Sequence, residues 1–226
     1  MIRAKLAAFC LIMAALLGWQ IAGVVTTTRG AGKGIPCDSN RASSAGSGCW
    51  LVCPLGDGDR LDEWGATISI VVRNCLNVPI AGIPATDFWL VGCADGLVLC
   101  GGRGIQADSA TNANGETTIS GAMMAGGCAP YGLAVIAQGL VVLNHDKINI
   151  LCLPIITKSV DVSGDGGVID GVVELVDFAA FGQVYNKPAD YDECFDYNCD
   201  GEVELVDYSI FGQHWEHACP GGLQSP

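Results

Sequence analysis

An eleven-residue segment occurs twice in this chain, thirty residues apart. Val173-Glu-Leu-Val-Asp-Phe-Ala-Ala-Phe-Gly-Gln183 returns as Val203-Glu-Leu-Val-Asp-Tyr-Ser-Ile-Phe-Gly-Gln213. A repeat of this length marks one small structural unit present in two copies, each a loop leading into a helix. Within the first copy Leu175, Phe178, Ala179 and Gly182 fall at i, i+3, i+4 and i+7, as do Leu205, Tyr208, Ser209 and Gly212 in the second. That spacing predicts a short amphipathic helix in each copy. Asn186-Lys-Pro188 breaks the chain between them.

The residues leading into the second helix carry the chemistry. With Asp196 as position 1 of a twelve-residue loop, oxygen-bearing side chains fall at positions 1, 3, 5, 9 and 12: Asp196, Asn198, Asp200, Glu204 and Asp207. Glu202 at position 7 offers its backbone carbonyl, and Gly201 at position 6 permits a sharp turn. Calcium takes six to eight hard oxygen ligands in flexible geometry, and alternate positions of a tight loop aim their oxygens inward. Asp207, in the first helical turn, closes the site, while Glu204 acts through a water. The first copy does not align simply. Asp170-Gly171 and Asp177 match Asp200-Gly201 and Asp207, but positions 1 and 3 would then be Gly166 and Val168. A second set, Asp161, Ser163 and Asp165, lies five residues upstream. Either loop 1 is expanded, running from Asp161 to Asp177 and closed by Glu174 or Asp177, or it has weakened and binds poorly.

A duplicated calcium loop and helix, closed by Asp177 and Asp207, resembles the dockerin family over about residues 159–215. The resemblance implies calcium-dependent folding and docking to a cohesin-like or other surface protein. In many dockerins loop positions 10 and 11 are polar and contact the partner. Here they are Leu175, Val176, Leu205 and Val206, so a different partner specificity is expected. Calcium alone would also serve as a staple, because a module this small has little core and its acids repel one another without metal.

Charge and cysteine usage set the environment. Residues 159–226 hold fourteen acidic residues and one base, Lys187, so they carry the whole net charge of −13. Such a block repels nucleic acid and anionic membrane surfaces. Eleven cysteines follow Cys10, a density expected as disulfides in an oxidising compartment. Zinc needs clustered cysteine and histidine. Cys49 and Cys53 have no companion pair of that spacing nearby, and His145, His214 and His217 lie far off, so disulfides are preferred. An odd eleventh cysteine is free, intermolecular or lost with a processed end. A Cys199–Cys219 bridge is one candidate that would pin the C-terminal tail to loop 2.

The remainder divides into three parts. Residues 1–25 place Arg3 and Lys5 before an uncharged apolar run, as a secretory signal does; a retained anchor is the alternative and the only membrane link expected. Residues 26–48 are rich in Gly, Ser and Thr and read as a linker. Residues 49–156 read as β structure, with strands at Thr67–Arg73, Phe88–Val91, Glu116–Ser120, Gly132–Gln138 and Ile148–Leu153. Ile68–Asn74, Asn77–Pro84 and the Asn114-Gly115 hairpin within Thr111–Ile119 resemble bacterial immunoglobulin-like domains of the invasin or adhesin type. That resemblance implies a spacer or adhesive module.

The expected architecture is thus mainly β. A disulfide-braced immunoglobulin-like sandwich is followed by a small helical dockerin-like module at 159–218. The expected function is that of a secreted or cell-surface bacterial calcium-binding scaffold or adhesion protein, not an enzyme. Two alternatives remain at this level. One is a carbohydrate-binding accessory protein of a polysaccharide-degrading system, with Trp50, Trp64, Trp89 and Tyr131 as stacking or core residues. The other is a small glycoside hydrolase using the acids of Asp57–Glu63, a stretch that reads more simply as a turn or a minor cation site.

Overall fold

The computed structural model describes residues 41–44, 48–94, 96–144, 152–164 and 167–223. The expected signal segment, the linker as far as residue 40, the larger part of the expected strand at 148–153, and Asp165 lie outside the described residues. The ten strands are β1 (Arg41–Ser44), β2 (Gly48–Val52), β3 (Ile68–Val71), β4 (Phe88–Gly92), β5 (Leu97–Leu99), β6 (Glu116–Ile119), β7 (Ala125–Ala129), β8 (Leu133–Ala137), β9 (Leu140–Asn144) and β10 (Ile155–Ser159). They form a six-stranded sheet in the order β4-β8-β9-β1-β3-β6 and a four-stranded sheet in the order β2-β10-β7-β5. Two α-helices follow among the described residues, α1 (Leu175–Val184) and α2 (Leu205–Gln213). The chain is mainly β, as its pattern of short runs and turns predicts.

Local chemistry explains the hairpins. β8 and β9 are joined by Gln138-Gly139, both at positive φ, the two-residue turn whose twist matches its strands. At the turn into β6, Asn112 Oδ1 accepts from the amides of Asn114 and Glu116. Gly115 sits there at φ 75°, and a Cβ on it would come within 2.3 Å of the Val72 carbonyl oxygen. Asn-Gly at this turn is therefore a steric requirement.

Both sheets feed one apolar cluster. Trp50, Val52 and Ile155 enter it from the four-stranded sheet, and Ile68, Phe88 and Val135 from the six-stranded one. Residue alternation sends Leu51, between Trp50 and Val52, to the opposite face. There it joins a second cluster with Val160, Val173, Phe181, Tyr197, Val203 and Phe211. β2 and β10 are buried on both faces because the apolar cluster shared by the two sheets lies on one side and the helical region on the other.

The boundaries drawn from composition need correction. Arg41–Ser44, within the expected linker, is a strand paired between β9 and β3. It has no β-branched residue, and its neighbours impose the extended conformation. β10 runs through Ser159 and delivers Asp161 directly into the first loop, so no break separates the two regions near residue 157. The disulfides bind them further. Cys93–Cys152 lies within the β region, whereas Cys49–Cys199, Cys100–Cys219 and Cys128–Cys194 cross from the sheets to the helical region. The expected Cys199–Cys219 bridge does not form: Cys199, at φ 59°, reaches Cys49 on β2 instead. Cys75 is also disulfide-bonded, and Cys53 is a buried free thiol.

Candidate functional site

The two acidic loops are built on one hydrogen-bond plan. In loop 2, Asp207 Oδ1 accepts from the amides of Tyr197 and Asn198 at 2.7 and 3.3 Å, and its Oδ2 accepts from Glu204 at 2.9 Å. In loop 1, Asp177 Oδ1 accepts from Val162 and Ser163, both at 2.8 Å, and its Oδ2 from Glu174 at 2.8 Å. Asp196 Oδ2 accepts from Gly201 at 3.0 Å, and Asp161 Oδ2 accepts from Gly171 at the same distance. Asp200 Oδ1 caps Glu202, and Asp170 Oδ1 caps Val172, each at 3.0 Å.

These equivalences assign loop 1. Asp161 occupies the place of Asp196, Ser163 that of Asn198, Asp170 that of Asp200, Glu174 that of Glu204 and Asp177 that of Asp207. Of the two arrangements the sequence allows, the geometry matches the expanded one, from Asp161 to Asp177. Asp165 falls in the inserted stretch and outside the described residues.

The pairing between repeats is reciprocal. Glu216, just after α2, donates its amide to the Val173 carbonyl of loop 1 at 3.0 Å. Asn186, just after α1, donates to the Val203 carbonyl of loop 2 at 2.9 Å. Both donors are in the left-handed region, at φ 62° and 53°. Each loop is therefore tied to the exit of the other helix, and thirty residues separate Val173 from Val203 and Asn186 from Glu216. The helices begin alike, with reciprocal capping by Glu174 and Asp177 and by Glu204 and Asp207.

The loops differ in what surrounds their first acid. Asp161 is fully buried and its Oδ1 has no hydrogen-bond partner. Burial, with the Asp177 and Asp170 carboxylates beside it, pushes its carboxyl up to about 8. It lies against β7, where a Cβ on Gly126 would fall 2.0 Å from Asp161 Oδ2. Only glycine leaves room there. An unpartnered carboxylate oxygen among acids and carbonyls is a donor set fit for a hard divalent cation. Asp161, Ser163, Asp170, Glu174, Asp177 and the Val172 carbonyl are the groups that would hold it.

Asp196 has company that spacing could not reveal. Lys158, on β10 and 2% exposed, donates to the Asp196 backbone carbonyl, with its Nζ 4.0 Å from Asp196 Oδ2. Tyr191 donates its hydroxyl to the same carboxylate at 2.8 Å. Burial lowers the Lys158 ammonium, against the opposing pull of Asp196. The alternation of β10 carried a hint, since Lys158 interrupts an otherwise apolar or small-residue strand.

The structure settles which way the helix stripes face. The buried positions are Asp177 and Phe181 on α1, and Asp207 and Phe211 on α2. Leu175 and Leu205 are 69% and 65% exposed, and Phe178, Ala179 and Gly182 face solvent with their counterparts Tyr208, Ser209 and Gly212. Val206 is exposed and Val176 half-buried. Phe178 and Tyr208 meet edge to face, with centroids 6.1 Å apart, and join the two stripes into one apolar surface. Each helix buries a single ring, Phe181 or Phe211, and the two stack on each other in the small core between the loops.

The residues behind the alternative readings are also placed. Trp50 is fully buried and donates its indole N–H to the Asp59 carbonyl, so it cannot stack on a sugar. Trp89 is half-buried beneath the Arg103 guanidinium, while Trp64 and Tyr131 are exposed. The Asp57–Glu63 acids are engaged separately: Asp59 Oδ2 accepts the Leu51 amide, Asp62 pairs with Arg60, and Asp57 turns toward His214 and His217.

No family model and no curated protein matches the chain. Among solved structures it is similar to a C-terminal interface mutant of a type II Cohesin-X-Dockerin complex from Acetivibrio cellulolyticus. The identity is 16% over 79% of this chain and 97% of that chain, with a TM-score of 0.28. An N-terminal interface mutant of a type II Cohesin-X-Dockerin complex from the same organism is similar at 20% identity over 61% of this chain and 87% of that one, with a TM-score of 0.27. At such TM-scores the likeness carries no argument about partner or activity. No helix among the described residues is long and apolar enough to cross a membrane.

Proposed function

We propose that this is a secreted, non-catalytic docking protein in which an immunoglobulin-like β-sandwich carries a dockerin-like module with two calcium sites. The observation that carries the reading is the shared hydrogen-bond plan around Asp161–Asp177 and Asp196–Asp207, including the unpartnered Asp161 oxygen. Calcium at each site converts mutually repelling acids into a staple across the loop and so holds α1 and α2 in register. The joined apolar stripe of Leu175, Phe178, Leu205, Val206 and Tyr208 then forms the face offered to a protein partner, a cohesin-like or other surface protein. An apolar patch rimmed by acids is the usual form of a protein-binding face. The disulfides suit an oxidising, extracellular setting.

Thermal unfolding with calcium and with chelator tests the metal. A higher melting temperature in calcium is expected, and identical melts would remove the calcium reading. Surface plasmon resonance against an immobilised cohesin domain, run with calcium and then with chelator, tests the partner. Binding that needs calcium and is lost in Leu175→Ser/Leu205→Ser supports docking through the stripe, and binding indifferent to both would reject it.

A further inference from the structure

Away from the acidic loops, four side chains distant in sequence converge at the junction of the two regions. Cys53 ends the run that begins with β2, and Asp57 lies on the turn after it, closed by the Gly56 amide on the Cys53 carbonyl at 2.9 Å. His214 follows α2, and His217 lies on the next turn, its amide bonded to the His214 carbonyl at 3.1 Å. The backbone around His217 is fixed, because its carbonyl accepts the Val173 amide of loop 1 at 2.8 Å. The Cys100–Cys219 disulfide closes the junction two residues further on.

The ligand atoms have the spacing of a coordination shell. His217 Nδ1 is 3.3 Å from Cys53 Sγ and 3.2 Å from Asp57 Oδ1. His214 Nδ1 is 3.6 Å from Asp57 Oδ1, and all four atoms lie within 4.8 Å of one another. A tetrahedron with metal–ligand bonds of about 2.0–2.3 Å has edges of about 3.3–3.8 Å. The three closest separations match those edges. Two further facts point inward. His214 is 8% exposed and its buried Nδ1 has no hydrogen-bond partner. Cys53 is the free thiol among described cysteines that otherwise form disulfides.

We propose that Cys53, Asp57, His214 and His217 bind one zinc ion, which fastens the end of β2 to the segment that follows α2. One thiolate, two imidazoles and a carboxylate complete a four-coordinate site of the closed, structural kind, with no position left for a substrate. Thiolate and imidazole also separate this site from the all-oxygen loops, which select calcium. A Cys–His nucleophile is excluded by access, because Cys53 is fully buried.

The test uses the full chain, disulfides intact, in saturating calcium so that the loops are occupied. Metal analysis after zinc loading and gel filtration is expected to give one zinc per chain. Replacement by Co2+ is expected to give the visible bands of a tetrahedral ion with a thiolate-to-metal charge-transfer band. Cys53→Ser should abolish that band, and His214→Ala should release the metal. Should Cys53→Ser fail to fold, Asp57→Asn keeps the question open to an answer. Its side chain is 47% exposed, and zinc affinity in it should fall on the order of 10–100-fold, a loss typical of weakened metal shells. Absence of a thiolate band in the unaltered chain would overturn the site. So would an Asp57→Asn protein with unchanged zinc affinity.

Discussion

Loop 1 and loop 2 share a skeleton and differ in who balances the first acid. Around Asp196 the fold supplies its own cation, Lys158, together with the Tyr191 hydroxyl. Around Asp161 no cation is placed among the described residues: the carboxylates of Asp177 and Asp170 act on it, and one carboxylate oxygen is left without a described partner. The same backbone plan can thus be held together internally or can depend on a visiting ion. On the proposed calcium reading, loop 2 should keep its shape without metal, while loop 1 should depend on the ion to relieve the repulsion among its acids.

The largest effect expected from this contrast is in loop 2. Asp196→Asn leaves the Lys158 ammonium buried without its partner, a change that costs about 3–5 kcal/mol. Urea denaturation should show that loss in chelator, and in calcium a further loss from the missing linkage of the loop 2 site. Asp161→Asn should behave differently. In calcium it forfeits one site's linkage, about 2.7 kcal/mol when calcium is at 100 times its dissociation constant. That corresponds to about 5–10 °C in Tm for a chain of this size. In chelator at pH 8 the same substitution should raise Tm, because it removes a carboxylate that the metal-free fold disfavours. Matching behaviour of the two variants in chelator would break the comparison.

Acidity sharpens it next. The Asp161 carboxyl rises from 3.8 in the unfolded chain to about 8 in the metal-free fold. Between these values the folded protein holds a proton that the unfolded chain has released. Its stabilising contribution is complete below about pH 4 and is lost as pH rises through 8. Burial raises Asp177 in the same direction. Calcium displaces the protons, so the gap in Tm between calcium-loaded and chelated protein should widen from pH 5 to pH 8. A gap that is constant or narrows across this range would contradict the assignment of loop 1. The smallest effect on stability is expected at the helix surface. Leu175→Ser and Leu205→Ser should each change it by no more than about 0.5 kcal/mol, measured by urea denaturation, even where partner binding is lost.

What could be read beforehand depended on distance along the chain. Loop 2 was legible because Asp196 to Asp207 are twelve consecutive residues whose side chains alternate inward. Loop 1 stayed ambiguous because five inserted residues separate Ser163 from Asp170, and spacing alone cannot say which end moved. β3, β4, β6 and β8 announced themselves through β-branched or alternating residues. β7, Ala-Gly-Gly-Cys-Ala, did not: its glycines are there because Asp161 and the Gly96 carbonyl press against them. The helix stripes were found, but which side they face was not legible, since periodicity marks a shared face without saying what covers it. Lys158 beside Asp196, the disulfide pairs, and the meeting of Cys53 and Asp57 with His214 and His217 arise only from the folded topology. In sequence the last of these is a separation of 164 residues between Cys53 and His217.

Three disulfides run from the sheets to the helical region, and Leu51 of β2 is shared with that region's core. Tension applied at α1 or α2 therefore passes into the sheets through covalent cross-links at Cys199, Cys219 and Cys194, without first peeling one folded unit from another. The helical region behaves mechanically as a fixture of the sheet and not as a hinged appendage. Cutting the chain between β10 and α1 would leave the two pieces joined, and only reduction would let them part.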